Sequence, residues 1–197
     1  MNNIEYIYQQ LEKSDVSLIG YTFKSERIKD KFISKLPHVN VALLQPQRGE
    51  INSSFSIRQY LRDHKINQVL DDQTYSNKEF NWIVIDTNSI LLDKLEPTRA
   101  NRIYEFVSKL RSEALEFQDK LRILITSPMY KSNKKLDINN FRGGSRPLYL
   151  ADFAFVILDK DKKVNIIKNR YDHLKEYELD ISGLEKYDYI CEKELLS

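Results

Sequence analysis

Trp82-Ile-Val-Ile-Asp86 is four apolar residues in a row closed by a carboxylate. The run is shorter than a helix, shows no polar alternation and is rich in β-branched residues, so it reads as a strand buried on both faces. Strands of that kind belong to parallel sheets covered by helices, and open parallel sheets bind ligands at their carboxyl ends. Asp86 is thereby placed at a strand tip.

The rest of the chain repeats this rhythm. Ile4, Ile7, Tyr8 and Leu11 have helical spacing and precede the apolar run Val16–Gly20. Ile28, Phe32, Ile33 and Leu36 form one helix face that Pro37 stops, and residues 39–44 form a second strand closed by Pro46. Ser53-Ser54 is placed to cap a helix with Phe55, Ile57, Tyr60 and Leu61, and residues 62–80 form an irregular polar connection. From Thr98, Ile103, Phe106, Val107, Leu110, Ala114 and Phe117 keep helical spacing up to the strand Arg122–Thr126. Three short β-like runs follow, at 153–158, 164–168 and 177–181, with Asp159–Lys163 as a hairpin. Alternation followed by a meander predicts an α/β fold, a mostly parallel central sheet with an antiparallel C-terminal extension.

Size and charge add limits. A chain of 197 residues with 41% hydrophobic content suits one domain over 1–197. Its 31 basic and 29 acidic residues balance, so any nucleic-acid surface must come from local clustering. One cysteine, Cys191, excludes an internal disulfide, and His38, His64 and His173 have no metal-like spacing, so no metal site is expected. The absence of a long apolar window or a secretory leader leads to the expectation of a cytoplasmic protein with no membrane partner.

Three segments in order resemble the RecA-like ATPase core of strand-exchange recombinases and of the hexameric replicative helicases of bacteria and phages. Trp82–Asp86 resembles the Walker B strand. The helix 99–118 with Ile123-Leu-Ile-Thr126 resembles the next helix and the sensor strand. Phe141-Arg-Gly-Gly-Ser-Arg-Pro-Leu-Tyr-Leu-Ala-Asp152, a strand, and then Val164-Asn-Ile-Ile-Lys-Asn-Arg170 resembles the Gly-Gly-Ser and Ala-Asp stretch with its Lys-x-Arg strand end. The likeness is best over 80–182, leaving 183–197 as a C-terminal tail. It implies a RecA-like three-layer fold with the Walker A, Walker B and sensor strands side by side, and a bacterial or phage-infected cell as the setting.

The phosphate loop of that family is missing or degraded. A P-loop needs G-x-x-x-x-G-K-[ST], so that backbone N–H groups can curl around phosphate. Here Leu18-Ile-Gly-Tyr-Thr-Phe-Lys-Ser25 puts Leu18 and Phe23 where the glycines belong. A side chain at Phe23 obstructs close backbone approach and resists positive φ. Lys24 and Ser25 therefore have two readings, a solvated helix start or a nucleotide and magnesium contact. Where the family places its catalytic glutamate, near the second strand, this chain has Gln45, and Glu50 lies beyond a proline. Asp86 reads either as a magnesium-orienting carboxylate or as a polar strand cap.

By the same resemblance, Lys168 and Arg170 correspond to residues that reach a neighbouring subunit's nucleotide in trans, with exposed strand-end charges as the alternative. Lys131, Lys134, Lys135, Arg142 and Arg146 stand against the single acid Asp137, in the connection that forms DNA-binding loops in the family. That density suits backbone phosphates, and Tyr130 and Phe141 are placed to stack on bases. The alternative is a solvated loop. The leading expectation is a RecA-like replication or recombination protein that binds single-stranded DNA, a RecA-like ATPase partner or further copies of itself, without hydrolysing ATP and without a cofactor. An active DNA-dependent ATPase or helicase using ATP and Mg2+ through an atypical loop is the second reading, and an inactive protein-interaction module the third.

Overall fold

The computed structural model describes residues 3–36, 40–44, 81–86, 108–109, 111–112, 121–129, 146–158, 162–172 and 178–186. They form an α/β fold around a seven-stranded sheet. In chain order the elements are α1 (Asn3–Lys13), β1 (Val16–Tyr21), α2 (Glu26–Ser34), β2 (Asn40–Leu44), β3 (Asn81–Asp86), β4 (Leu121–Pro128), α3 (Arg146–Leu150), β5 (Phe153–Leu158), β6 (Lys163–Asn169) and β7 (Glu178–Asp180). The sheet order is β2-β3-β4-β1-β5-β6-β7. The first five strands are parallel neighbours, and β6 and β7 add antiparallel at one edge.

Both faces of the central strands β1, β3, β4 and β5 are buried, which is why they read as apolar runs rather than alternating ones. On one face Ile19, Tyr21, Trp82, Val84, Leu124, Phe153 and Phe155 pack with Ile4, Ile7, Tyr8 and Leu11 of α1 and Phe32 of α2. Aromatic rings join the layers: Phe32 lies 5.3 Å from Phe155 and 6.0 Å from Tyr8, centroid to centroid. The Tyr8 hydroxyl donates to the Phe32 carbonyl at 3.0 Å, satisfying a polar atom that the aromatic ring carries inside. On the other face Val16, Leu18, Ile83, Ile85, Ile123 and Ile125 are equally buried.

Helix ends follow from short side chains. Ser14 Oγ donates to the Gln10 carbonyl at 2.7 Å, closing α1 where Ser14-Asp15 breaks the helical period. Strand β4 runs two residues beyond the expected Thr126, to Pro128, which a proline ordinarily forbids in a central strand. The geometry explains the exception. Met129 N–H points to β1, donating to the Tyr21 carbonyl at 2.8 Å, so the nitrogen of Pro128 faces the β3 side. There β3 has already ended, at Asp86 opposite Thr126.

Two elements differ from the sequence reading. Residues 146–150, of which Arg146 reads as the end of a basic connection and the rest are given no element, form the short helix α3, with Pro147 in its first turn where a missing N–H costs nothing. The first residues of the stretch given as a C-terminal tail are packed on the fold. Ser182–Glu185 make a 3-10 turn that buries Leu184 in the main core. The capping helix at 53–61 and most of the helix 99–118 lie outside the described residues, though 108–109 and 111–112 are helical as expected.

Candidate functional site

The carboxyl edge of the parallel strands is where this architecture holds ligands. β3, β4 and β1 are successive neighbours, and Asp86, Thr126 and Ile19 share one register row across them. Asp86 is the last residue of its strand, two rows short of the carboxyl ends of β1 and β4.

The turn after β1 follows directly. Leu18, Ile19, Gly20 and Tyr21, half of the eight-residue stretch that a phosphate loop would need, are paired within the strand. Only Thr22 separates Tyr21 from a 3-10 turn over Phe23–Ser25. That turn closes on itself. Thr22 N–H donates to Ser25 Oγ at 2.9 Å, Ser25 N–H donates to the Thr22 carbonyl at 3.0 Å, and Ser25 Oγ donates to the same carbonyl at 3.2 Å. Ser25 is fully buried and spends its hydroxyl on this cap. Lys24 is exposed, and Phe23 is 89% exposed at the tip. A phosphate cradle requires several successive N–H groups turned inward around an open concavity. One residue between strand and helical turn leaves no length for it.

Behind the turn, Lys29 is buried, with its ammonium 4.6 Å from the centre of the Tyr21 ring and 3.0 Å from Asp30. Nothing in the sequence pattern marks this lysine, because it falls between the apolar positions Ile28 and Phe32.

Lys168 and Arg170 lie at the opposite edge. β6 runs antiparallel to β5 with Asn169 opposite Phe153, so the end of β6 meets the amino end of β5. From Val16, which flanks this edge, to Thr22 is six residues, or ~20 Å along the strand. The two cations are engaged within their own chain. Arg170 Nη1 is 2.6 Å from Asp152 Oδ1, and Arg111 Nη2 is 3.1 Å from the same oxygen. Val16 N–H donates to Asp152 Oδ2 at 3.3 Å, and the Asp152 and Arg170 N–H groups bond to Val16 and Asp152 carbonyls at 2.8 Å each. Lys168 Nζ donates to the carbonyls of Leu148 and Tyr149 at 2.6 and 3.0 Å, while Arg111 Nη1 takes Leu150 at 2.6 Å. Those are carbonyls at the end of α3, which have no partner inside a helix and carry its partial negative charge.

A fully buried carboxylate must be paired or neutralised. Asp152 is surrounded by Arg111 and Arg170, and together these residues lock the last turn of α3, the amino end of β5 and the end of β6. Lys168 is pushed to lower pKa by burial first and by the Arg170 charge second, partly offset by Asp152. The neighbouring Tyr171 hydroxyl is pushed up by burial and by Asp152. The Ala151-Asp152 and Lys168-Asn169-Arg170 segments that carry the family likeness are thus brought together as an internal ionic lock. Sequence reasoning found both segments and missed their joint, Arg111, which has the look of a surface residue on an amphipathic helix. The available signal was Asp152 itself, a lone acid between Ala151 and an apolar strand.

Of the remaining expected site residues, Lys131, Lys134, Lys135, Arg142, Tyr130 and Phe141 lie outside the described residues, and Arg146 opens α3. Cys191, His38, His64 and His173 also lie outside them. Among the described residues no group of His, Cys, Asp and Glu is placed to hold a metal ion, and no helix is long and apolar enough to cross a membrane. No protein-family model matches the chain, and no curated protein is similar to it.

Proposed function

We propose that this chain is a RecA-like domain of DNA replication or recombination that binds single-stranded DNA, an ATPase partner, or both, and does not hydrolyse ATP. The observation that carries the reading is the turn after β1. It stands at the carboxyl edge where such a core would hold phosphate, in the strand–turn–helix context such a site needs, yet it is one residue long before the helical turn and is closed by its own hydroxyl. The neighbouring positions of β1, β4 and β3, with Asp86 ending β3, favour the RecA-like framework. The engagement of Lys168 and Arg170 by α3 and Asp152 weighs against their acting on a neighbour's nucleotide while the lock is intact. DNA contact rests on the basic residues between Lys131 and Arg146.

The test is anisotropy of a fluorescent single-stranded oligonucleotide, titrated at several salt concentrations without nucleotide. Binding should weaken linearly on a log–log plot against salt. Replacing Lys134, Lys135 and Arg142 together by alanine should lower the affinity and reduce the slope by about two to three. Absence of binding at low salt removes DNA from the account and leaves the protein-partner role.

A further inference from the structure

On the α1/α2 side of the sheet, a surface pocket opens between α2, the turn before β6 and the 3-10 turn after β7, with none of the residues of the Thr22–Ser25 turn or the Asp152 lock in its lining. Its floor is Ile28, Ile181 and Leu184, of which the last two belong to the main core. Its rim carries Arg27, Lys31 and Lys162.

Arg27 and Lys162 are held there against local preferences. Arg27 and Lys31 are four residues apart on α2, a spacing at which like charges repel. Arg27 is also in the first turn of the helix, the end that favours an anion and disfavours a cation. Lys162 has φ of 47°, a left-handed conformation that glycine or asparagine adopts more readily, and its carbonyl is fixed by the Ile181 N–H at 2.7 Å. The pocket holds one acid, Glu185, which is ion-paired with Lys31. Lys31 holds the Glu185 carboxyl below its ordinary range, and the charges of Lys162 and Arg27 add to the effect. Among the described residues neither Arg27 nor Lys162 has an ion pair of its own. Three cations and one carboxylate line the pocket, and the Asp180 carboxylate, which accepts from the Ser182 N–H at 2.7 Å, acts on Lys162 from beside it, so the cations still outnumber the acids.

An excess of cations above an apolar floor matches a ligand with an anionic head and a small apolar body. We propose that the pocket binds a small organic phosphate monoester, its apolar part on Ile28, Ile181 and Leu184 and its phosphate among Arg27, Lys31 and Lys162, with Glu185 displaced from Lys31. None of the residues of the Thr22–Ser25 turn lines the pocket, and the proposal does not depend on the reading of that turn.

Phenyl phosphate serves as the probe, followed through the 13C-labelled δ1 methyls of Ile28 and Ile181 by NMR on the full chain. Saturable shifts of both methyls are expected with phenyl phosphate, and none with benzyl alcohol. Arg27→Gln and Lys162→Gln, both at exposed positions, should each weaken binding roughly tenfold, the worth of one charge-assisted contact. Glu185→Gln should tighten it, because the competing carboxylate is gone. The proposal is overturned if the methyls show no saturable shift, if benzyl alcohol moves them equally, or if the Arg27 and Lys162 variants bind as well as the parent.

Discussion

Replacing Asp152 by asparagine keeps the shape of the side chain and removes its charge. Asp152 is fully buried and makes contacts at 2.6 and 3.1 Å to two guanidinium groups. Breaking a buried ion pair from one side costs roughly 3–5 kcal/mol, most of it from the partner charge left without compensation. Here the partners are unequal. The Arg170 side chain is 44% exposed and can rehydrate, whereas that of Arg111 is 19% exposed and remains tied to Leu150. The lower end, about 3 kcal/mol, is therefore expected, and for a chain of this size it corresponds to roughly 6–12 °C in Tm. Arg170→Ala should cost less, about 1–2 kcal/mol, because Arg111 still neutralises the carboxylate. Urea unfolding followed by circular dichroism measures each, and the double variant measures their coupling. If Asp152→Asn unfolds within about 0.5 kcal/mol of the parent, the lock does not hold these elements together.

Lys168 and Tyr171 give the same corner a pH signature. The folded-state pKa of Lys168 lies below its ordinary value of 10.5, so between the two the unfolded chain binds more protons and the lysine's contribution to stability rises with pH. Lys168→Met should flatten that rise in unfolding curves below pH 10.5, whereas the raised Tyr171 makes the folded state lose stability as the pH rises past 10.0. At the acid end, the Ser182 N–H at 2.7 Å holds the Asp180 carboxyl below its ordinary range. Its stabilisation is present above about pH 4 and lost as pH falls through the folded value, so Asp180→Asn should blunt acid unfolding. Ser25→Ala orphans the Thr22 N–H in a buried turn and should cost about 1–2 kcal/mol in thermal or urea unfolding.

Much of the sheet was legible because its strands are buried on both faces and so stand out as apolar runs. Trp82–Asp86 and Phe153–Leu158 required no tertiary information. α3 was not legible, since Arg146-Pro-Leu-Tyr-Leu150 is too short to show a helical period and is held from outside by Lys168 and Arg111. The Ser182–Glu185 turn escaped for a similar reason, as one buried leucine gives no pattern. At the candidate site, the mismatch at Leu18 and Phe23 was visible in the residue types. That the strand itself consumes Leu18–Tyr21 was not, because strand length depends on pairing with β4 and β5 rather than on local propensity. The role of Lys168 and Arg170 depended on Asp152 and Arg111, whose meeting is a tertiary event.

Absence of ATP turnover is what the proposed reading of the turn after β1 predicts most directly. Phosphate release from ATP and Mg2+ should be measured with the purified full chain, with and without saturating single-stranded DNA, alongside Lys24→Ala. The account predicts no release above the no-protein background in any arm and no effect of the substitution. DNA-stimulated hydrolysis that Lys24→Ala abolishes would contradict it, and would make Lys24, Ser25 and Asp86 parts of a working nucleotide site.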